Sequence, residues 1–153
     1  MNLAIWDIES SSASTDFGSI IEIGGVLVDE NFKEKDRFNL RCRLPEGEIF
    51  QAMALIVNKT SIKKLTQANL SHYQMLAEVE KIFKKWSPAI FLGWSNIGFD
   101  DEMIRKEFFK GIRYPYLTNA APNKRHDGIN IARAAYAVDP NILEVEFNEK
   151  NNA

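Results

Sequence analysis

The sequence predicts an α/β domain on a mixed sheet, because strand patterns fill its first third and helices alternate with strands afterwards. Three strand candidates joined by short connections predict an antiparallel meander. They are Leu3 to Glu9, Ile20 to Val28 and Arg37 to Leu44. The third alternates apolar and polar residues, as a half-buried strand does.

Helical spacing replaces the strand pattern after Pro45. Thr60 or Ser61 can cap a short helix, and Ser71 can cap a longer one that ends before Pro88. The remaining predicted elements are a short buried strand at 89–92, a helix at about 99–110, a helix at about 127–138 and a terminal strand or extended tail at 142–147.

Composition indicates one soluble globular domain, since 45% of the 153 residues are hydrophobic and 26% are charged. The single cysteine, Cys42, excludes an internal disulfide and suits a reducing cytoplasm. No membrane span or export signal is visible, so we expect a cytoplasmic protein. The net charge of −2 gives no general basic surface for nucleic acid, although an acidic metal site can coexist with a basic rim.

Two acidic residues share one face of the first predicted strand. Side chains alternate along a strand, so Asp7 and Glu9 lie on the face of Leu3 and Ile5, ~6.6 Å apart along the chain. A divalent cation would offset their repulsion, and Mg²⁺ or Mn²⁺ prefers such oxygen ligands. The alternative is an exposed strand end whose acids meet solvent or nearby lysines.

Three consecutive acids open the helix predicted after residue 99. Asp101 can pair with Arg105, four residues later. Glu102 can pair in the same way with Lys106. Asp100 has only apolar residues at the matching positions, so helix pairing leaves it unexplained.

Carboxylates from two separate segments, Asp7 and Glu9 in one and Asp100 in the other, form the ligand set that a two-metal phosphoryl-transfer site requires. The motifs WDIES (6–10), IEIGGV (21–26) and GWSNIGFDDE (93–102) resemble, in this order, the DEDD 3′→5′ exonuclease superfamily. The doubled acid at 100–101 and the segment RHDGINIARAAYAV (125–138) are most similar to the bacterial exodeoxyribonuclease I family.

The resemblance implies a ribonuclease H-like fold and metal-dependent 3′→5′ hydrolysis of single-stranded DNA, with two Mg²⁺ or Mn²⁺ ions in the complete enzyme. The implied catalytic metal ligands are Asp7, Glu9 and Asp100. The implied nucleotide contacts are Ser10 and the turn from Asn96 to Phe99. A single-stranded DNA-binding protein is the implied partner of a full-length protein.

The family also has a histidine general base, with an aspartate five residues later, on a helix beyond the position that matches Val138. Neither His72 nor His126 has an aspartate at that spacing. We therefore expect residues 1–153 to form a single incomplete exonuclease domain that lacks the last helix and is inactive or weak alone. An uncovered apolar sheet face would then favour a homodimer.

Two other functions stay open at this point: a non-catalytic nucleic-acid-binding module of the same fold, and an exonuclease for RNA or primer ends. Asp127 is interpreted as a helix N-cap rather than a fourth ligand, and His126 as a surface residue. Glu22 either neighbours the site or makes a structural hydrogen bond. Cys42 is expected to pack in the core, and so are most of the aromatic residues at core-like spacing, which are Phe83, Trp86, Phe99, Phe108 and Phe109.

Overall fold

The computed structural model describes residues 1–142 and contains a five-stranded mixed sheet in the order β3-β2-β1-β4-β5. The strands are β1 (Asn2–Ser10), β2 (Ile20–Val28), β3 (Glu34–Arg41), β4 (Ala89–Gly93) and β5 (Lys124–Asp127). The helices are α1 (Ala52–Val57), α2 (Ile62–Thr66), α3 (His72–Trp86), α4 (Asp100–Lys110) and α5 (Gly128–Val138). The predicted tail at 142–147 lies outside the described residues except for Ile142.

The mixed character of the sheet arises at β1. This strand is antiparallel to β2 on one side and parallel to β4 on the other. β5 is parallel to β4, and β3 completes the antiparallel half. Because β1 and β4 run in the same direction, the residues that follow both strands meet at one edge of the sheet. That edge carries the candidate site.

The hydrophobic core lies on one face of the sheet. Ala4, Trp6 and Ile8 of β1 are buried there against α3 and α4. The rings of Trp6 and Phe83 meet edge-to-face with their centroids 5.6 Å apart. The opposite face of β1 is open in the described part of the chain, and Ile5 on that face is 42% exposed.

Side-chain caps fix the starts of α2 and α3. Ser61, rather than Thr60, caps α2 by accepting a hydrogen bond from the backbone N–H of Lys64. Ser71 caps α3, and its Oγ accepts from the N–H of Gln74 while Gln74 Oε1 accepts from the N–H of Ser71. This reciprocal pair is a capping box. The sequence signals for both helices are therefore confirmed.

The structure differs from the sequence expectations in three elements. Two elements, α1 and β5, were not predicted, and β5 reads KRHD without an apolar residue. The third strand is Glu34–Arg41, shifted from the predicted 37–44. The expectation that most of the aromatic residues pack in the core is confirmed, with Phe109 as an exception at 71% exposed, because it follows the buried Phe108 on the other side of α4. No helix within residues 1–142 is long and apolar enough to cross a membrane.

Candidate metal and nucleotide site

The start of α4 packs against the end of β1. Asp100 Oδ1 accepts a hydrogen bond of 3.3 Å from the backbone N–H of Ile8. Ile8 lies between Asp7 and Glu9, so this bond brings three carboxylates from two elements to one edge of the sheet. The structure therefore brings together the three predicted metal ligands in the same part of the molecule.

The electrostatics of these acids follow from burial and mutual repulsion. Asp100 is only 6% exposed, and this burial together with the charge of Asp7 raises its pKa to about 7. Burial raises the pKa of Glu9 as well, and the charges of Asp7 and Glu22 add to the effect. Within residues 1–142, no lysine or arginine forms an ion pair with Asp7, Glu9 or Asp100. The nearest cation described is Arg41, which pairs with Glu22 and only partly offsets the raised pKa of Glu9.

The donor chemistry fits a hard divalent cation, since carboxylate oxygens without a cationic partner are the ligands that Mg²⁺ and Mn²⁺ prefer. These three acids do not form a complete metal site, however. Among the residues that the structure describes, no three Asp, Glu, His or Cys side chains converge closely enough to hold a metal ion as they stand. Asp7 is also exposed, as the alternative of an open strand end expects.

A cavity of ≈ 350 Å³ opens beside these acids. Asp7, Glu9, Glu22 and Arg41 line it, together with Asn58. Arg41 Nε donates to Glu22 Oε2 at 2.8 Å across β2 and β3. Glu22 thus has both properties considered from the sequence: it makes a structural ion pair and it neighbours the site.

A second cavity of ≈ 300 Å³ runs from Glu9 to Phe99. The exposed side chains of Met53 and Val57 on α1 form an apolar wall of this groove. Asn58, which follows α1, donates from Nδ2 to the backbone oxygen of Ser10 at 2.8 Å. Sequence reasoning missed this wall, because nothing in the pattern shows that α1 folds over the end of β1.

The predicted nucleotide contacts differ in accessibility. Phe99 is half-buried and lines the groove, whereas Ser10 is buried and donates from Oγ to the backbone oxygen of Ser12 at 2.7 Å. Asn96 is 1% exposed, and its Nδ2 donates to Asp101 Oδ2 at 2.9 Å. The side chain of Asn96 therefore holds the turn together from inside.

Asp101 does not pair with Arg105, which corrects the sequence expectation. Its buried carboxylate accepts from Thr118 Oγ1 at 3.3 Å and lies 3.7 Å from Arg125 Nε. Burial raises the pKa of Asp101 to about 6, and Arg125 opposes the increase. Arg105 pairs with Glu102 instead, because the first turn of α4 directs Asp101 towards the protein interior. The expected pair of Glu102 and Lys106 is present, at 3.6 Å.

Asp127 is the N-cap of α5, as expected. Its Oδ1 accepts from the backbone N–H of Ile129 at 3.0 Å. The same carboxylate also accepts from the N–H groups of Ser95 and Ile97, which the sequence does not indicate. His126 is exposed, as predicted, and Cys42 is fully buried.

The five-stranded mixed sheet with its flanking helices defines the class of the domain: it has the ribonuclease H-like α/β fold predicted from the sequence. Among solved structures, the chain superposes on Escherichia coli Exonuclease I in complex with a dA16 oligonucleotide with a TM-score of 0.89 and 20% identity. The match covers 97% of this chain and 32% of that chain. An ExoI/SSB-Ct complex gives a TM-score of 0.89 at 19% identity, with 97% and 33% covered.

The relatives that the sequence resembles are proteins named Exodeoxyribonuclease I. Exodeoxyribonuclease I of Buchnera aphidicola subsp. Schizaphis graminum is 22% identical over 151 residues, which are 97% of this chain and 31% of the relative. Exodeoxyribonuclease I of Haemophilus influenzae is 24% identical over 147 residues, 95% of this chain and 31% of the relative. No protein-family model matches the chain. The predicted resemblance is confirmed, and the chain spans about a third of the length of these relatives.

Proposed function

We propose that this chain forms the metal- and nucleotide-binding part of a 3′→5′ exonuclease that hydrolyses phosphodiester bonds in single-stranded DNA. The observation that carries the proposal is the hydrogen bond from Ile8 to Asp100, which brings Asp100 to the strand that bears Asp7 and Glu9. The similarity to Exonuclease I in complex with a dA16 oligonucleotide supports it.

In this proposal Asp7, Glu9 and Asp100 hold Mg²⁺ or Mn²⁺, two ions in the complete enzyme. Bound cations neutralise phosphate charge and activate water for attack on phosphorus. The carboxylates supply hard oxygen ligands, and within residues 1–142 none of the three forms an ion pair with a lysine or arginine, which leaves them available. Without cations the same acids repel a phosphodiester, so nucleotide binding at this edge depends on the metal.

The terminal nucleotide of the DNA strand occupies the groove beside Glu9. Phe99 lies on one side of this groove, and Met53 and Val57 on the other. Apolar and aromatic walls bind the faces of bases with little sequence preference. The scissile phosphate then lies at the acidic end of the groove, where the backbone around Ser10 borders it.

The 153 residues by themselves turn over slowly or not at all in this proposal, because neither histidine can act as the general base. His72 is largely buried beside Glu107, with 3.4 Å between Nε2 and Oε2. His126 lies on β5, two strands away from β1, opposite Leu92 of β4. Loss of general-base catalysis costs typically 10²–10⁴-fold in rate. Binding of metal and oligonucleotide is therefore a better readout of the site than turnover.

Calorimetric titration with Mn²⁺ tests the proposal. We expect the wild-type chain to bind Mn²⁺ and the double variant Asp7→Ala/Asp100→Asn to lose binding. Glu78→Ala, which removes an exposed acid on α3, is the matched control and should bind as the wild type does. Equal binding by all three proteins would mean that the acids are not metal ligands.

Fluorescence anisotropy of a 5′-labelled oligo(dT) then tests the substrate. We expect binding that requires the divalent ion and is weaker for the double variant. Metal-independent binding would favour a non-catalytic nucleic-acid-binding module. Preference for an RNA oligonucleotide or for a primer–template end would favour the other exonuclease classes.

A further inference from the structure

One carboxylate connects the two segments that follow β4 and β5. Gly93 at the end of β4 pairs with Asp127 at the end of β5. From this position Asp127 Oδ1 accepts from the N–H of Ser95 at 2.9 Å, and Oδ2 accepts from the N–H of Ile97 at 3.5 Å. Asp127 also caps α5 through Ile129. A helix N-cap needs only the last of these contacts.

The segment held by these bonds has a conformation that the chain would not adopt freely. Ser95 has φ 59°, in the left-handed region that favours glycine over other residues. Strained backbone persists where surrounding contacts determine it. The buried carboxylate of Asp127, which accepts from the N–H of Ser95, is such a contact, since hydrogen bonds to carboxylates are stronger than those between neutral groups.

Packing around the same residues joins α5 to this segment. A Cβ added to Gly128 would lie 3.0 Å from Trp94 Cε3, so the ring of Trp94 sits directly on the first residue of α5. On its other side the turn continues through Asn96 to Phe99, which lines the groove. Within this turn, the buried carboxylate of Asp101 accepts a hydrogen bond from Asn96 Nδ2.

We propose that Asp127 is a positioning residue: its carboxylate fixes the turn at 94–99 in the shape that presents Phe99 to the terminal nucleotide. This inference rests on the proposed function, because it assigns a nucleotide-binding role to the turn. Asp127 touches neither the nucleotide groove nor the acids of β1 in this arrangement. It acts through the backbone of Ser95 and Ile97.

Substitutions at Asp127 separate capping from positioning. Asp127→Ser keeps a good N-cap for Ile129 but has a side chain too short to hold Ser95 and Ile97 as well. Asp127→Asn keeps an oxygen for Ser95 and Ile129 and replaces the acceptor of Ile97 with a donor. Asp139→Ser is the matched control, since Asp139 makes an exposed local turn at the opposite end of α5.

Amide hydrogen exchange by NMR, with oligo(dT) affinity in Ca²⁺ buffer, tests the proposal. For Asp127→Ser we expect about tenfold faster exchange at Ser95 and about tenfold weaker oligonucleotide binding, with a folded spectrum. Asp127→Asn should retain protection at Ser95 and lose it at Ile97. Asp139→Ser should match the wild type in both measurements.

Unchanged exchange at Ser95, or unchanged oligonucleotide affinity despite faster exchange, overturns the positioning role. If Asp127→Ser does not fold, the pattern for Asp127→Asn decides, and protection at both amides overturns the proposal. A wild-type chain that binds no oligonucleotide refutes the proposed function. The exchange data would then still show whether Asp127 fixes the turn.

Discussion

Asp100 Oδ1 accepts a hydrogen bond from the backbone of Ile8, although 92 residues separate them in the chain. This contact joins α4 to β1, and it holds a carboxylate in a place where burial disfavours its charge. The arrangement has a cost in stability that a bound cation would remove. The stability of the metal-free chain and its dependence on pH follow from this arrangement.

We predict that Asp100→Asn stabilises the metal-free chain above about pH 7, by about 1–3 kcal/mol. The pKa of Asp100 is raised in the folded state, to about 7, from an unfolded value of about 3.9. The folded state therefore binds the proton more tightly, and its contribution to stability is lost as the pH rises from about 4 to about 7. Asparagine keeps the acceptor for Ile8 and carries no charge.

Denaturant unfolding in EDTA at a series of pH values measures this effect. The difference between Asp100→Asn and the wild type should grow with pH over that window. Glu102→Gln is the control of opposite sign: Arg105 lowers the pKa of Glu102, so the stability of this variant relative to the wild type should fall, and not rise, with increasing pH. A constant difference across the window would contradict the prediction.

The neighbouring glycines Gly24 and Gly25 should respond very differently to alanine. A Cβ at Gly25 would lie 2.9 Å from Phe38 Cε1, 3.1 Å from the oxygen of Ile5 and 3.2 Å from Trp6 Cβ. At Gly24 the added atom would meet only ordinary contacts, beginning at 3.6 Å. We predict that Gly25→Ala destabilises by about 1–3 kcal/mol and that Gly24→Ala changes stability by less than about 1 kcal/mol.

Urea unfolding of the two variants under the same conditions checks this pair. Each serves as the control for the other, because the positions are adjacent in β2 but face opposite sides of the sheet. Equal changes of stability would show that packing against Phe38 and Trp6 does not determine the requirement for glycine at position 25.

Local patterns in the sequence predict the parts of the site that depend on one element. The alternation of β1 is sufficient to place Asp7 and Glu9 on one face. The lack of a helical partner distinguishes Asp100 from its two neighbours. Ser71 and Asp127 carry cap signals that the structure confirms. In each of these cases the relevant neighbours lie within four residues of one another.

The features that the sequence does not predict depend on distant partners. Asp101 is directed inwards by Thr118 and Arg125, which lie on segments that a helical pairing rule does not consider. The charged sequence of β5 becomes a strand because β4 offers it a hydrogen-bonding edge. α1 borders the site because Asn58 bonds to Ser10, 48 residues away. Tertiary contacts of this kind override local preference.

We predict that Glu22→Gln lowers the pKa of Glu9. The charge of Glu22 is among the causes that raise it, after burial and Asp7. Removing that charge also frees Arg41 from its ion pair, and the charge of Arg41 acts to lower the pKa of Glu9. Both changes act in the same direction.

An NMR titration of the Glu9 carboxyl carbon, in EDTA, measures the shift. Glu34→Gln is the matched control, since Glu34 pairs with Arg37 at the exposed end of β3 and does not line the cavity beside Asp7 and Glu9. A pKa of Glu9 that is unchanged or higher in Glu22→Gln would contradict the electrostatic account of the site.

We predict finally that Asn58→Ala weakens oligo(dT) binding by about tenfold and leaves Mn²⁺ affinity unchanged. The amide of Asn58 attaches the end of α1 to Ser10, while no residue of α1 itself is buried. Without this bond, the apolar wall formed by Met53 and Val57 is free to move away from Phe99. Asn58 borders the cavity beside Asp7 and Glu9, but its side-chain hydrogen bond goes to Ser10, so we expect the metal ligands to stay in place.

Anisotropy and calorimetry on the same preparations separate the two effects. Asn31→Ala is the control, since Asn31 lies in the exposed turn between β2 and β3 at the far end of the sheet. Equal losses of oligonucleotide and metal affinity in Asn58→Ala would mean that α1 supports the acids themselves. Wild-type affinity for both ligands would mean that the groove beside Glu9 is not where the nucleotide binds.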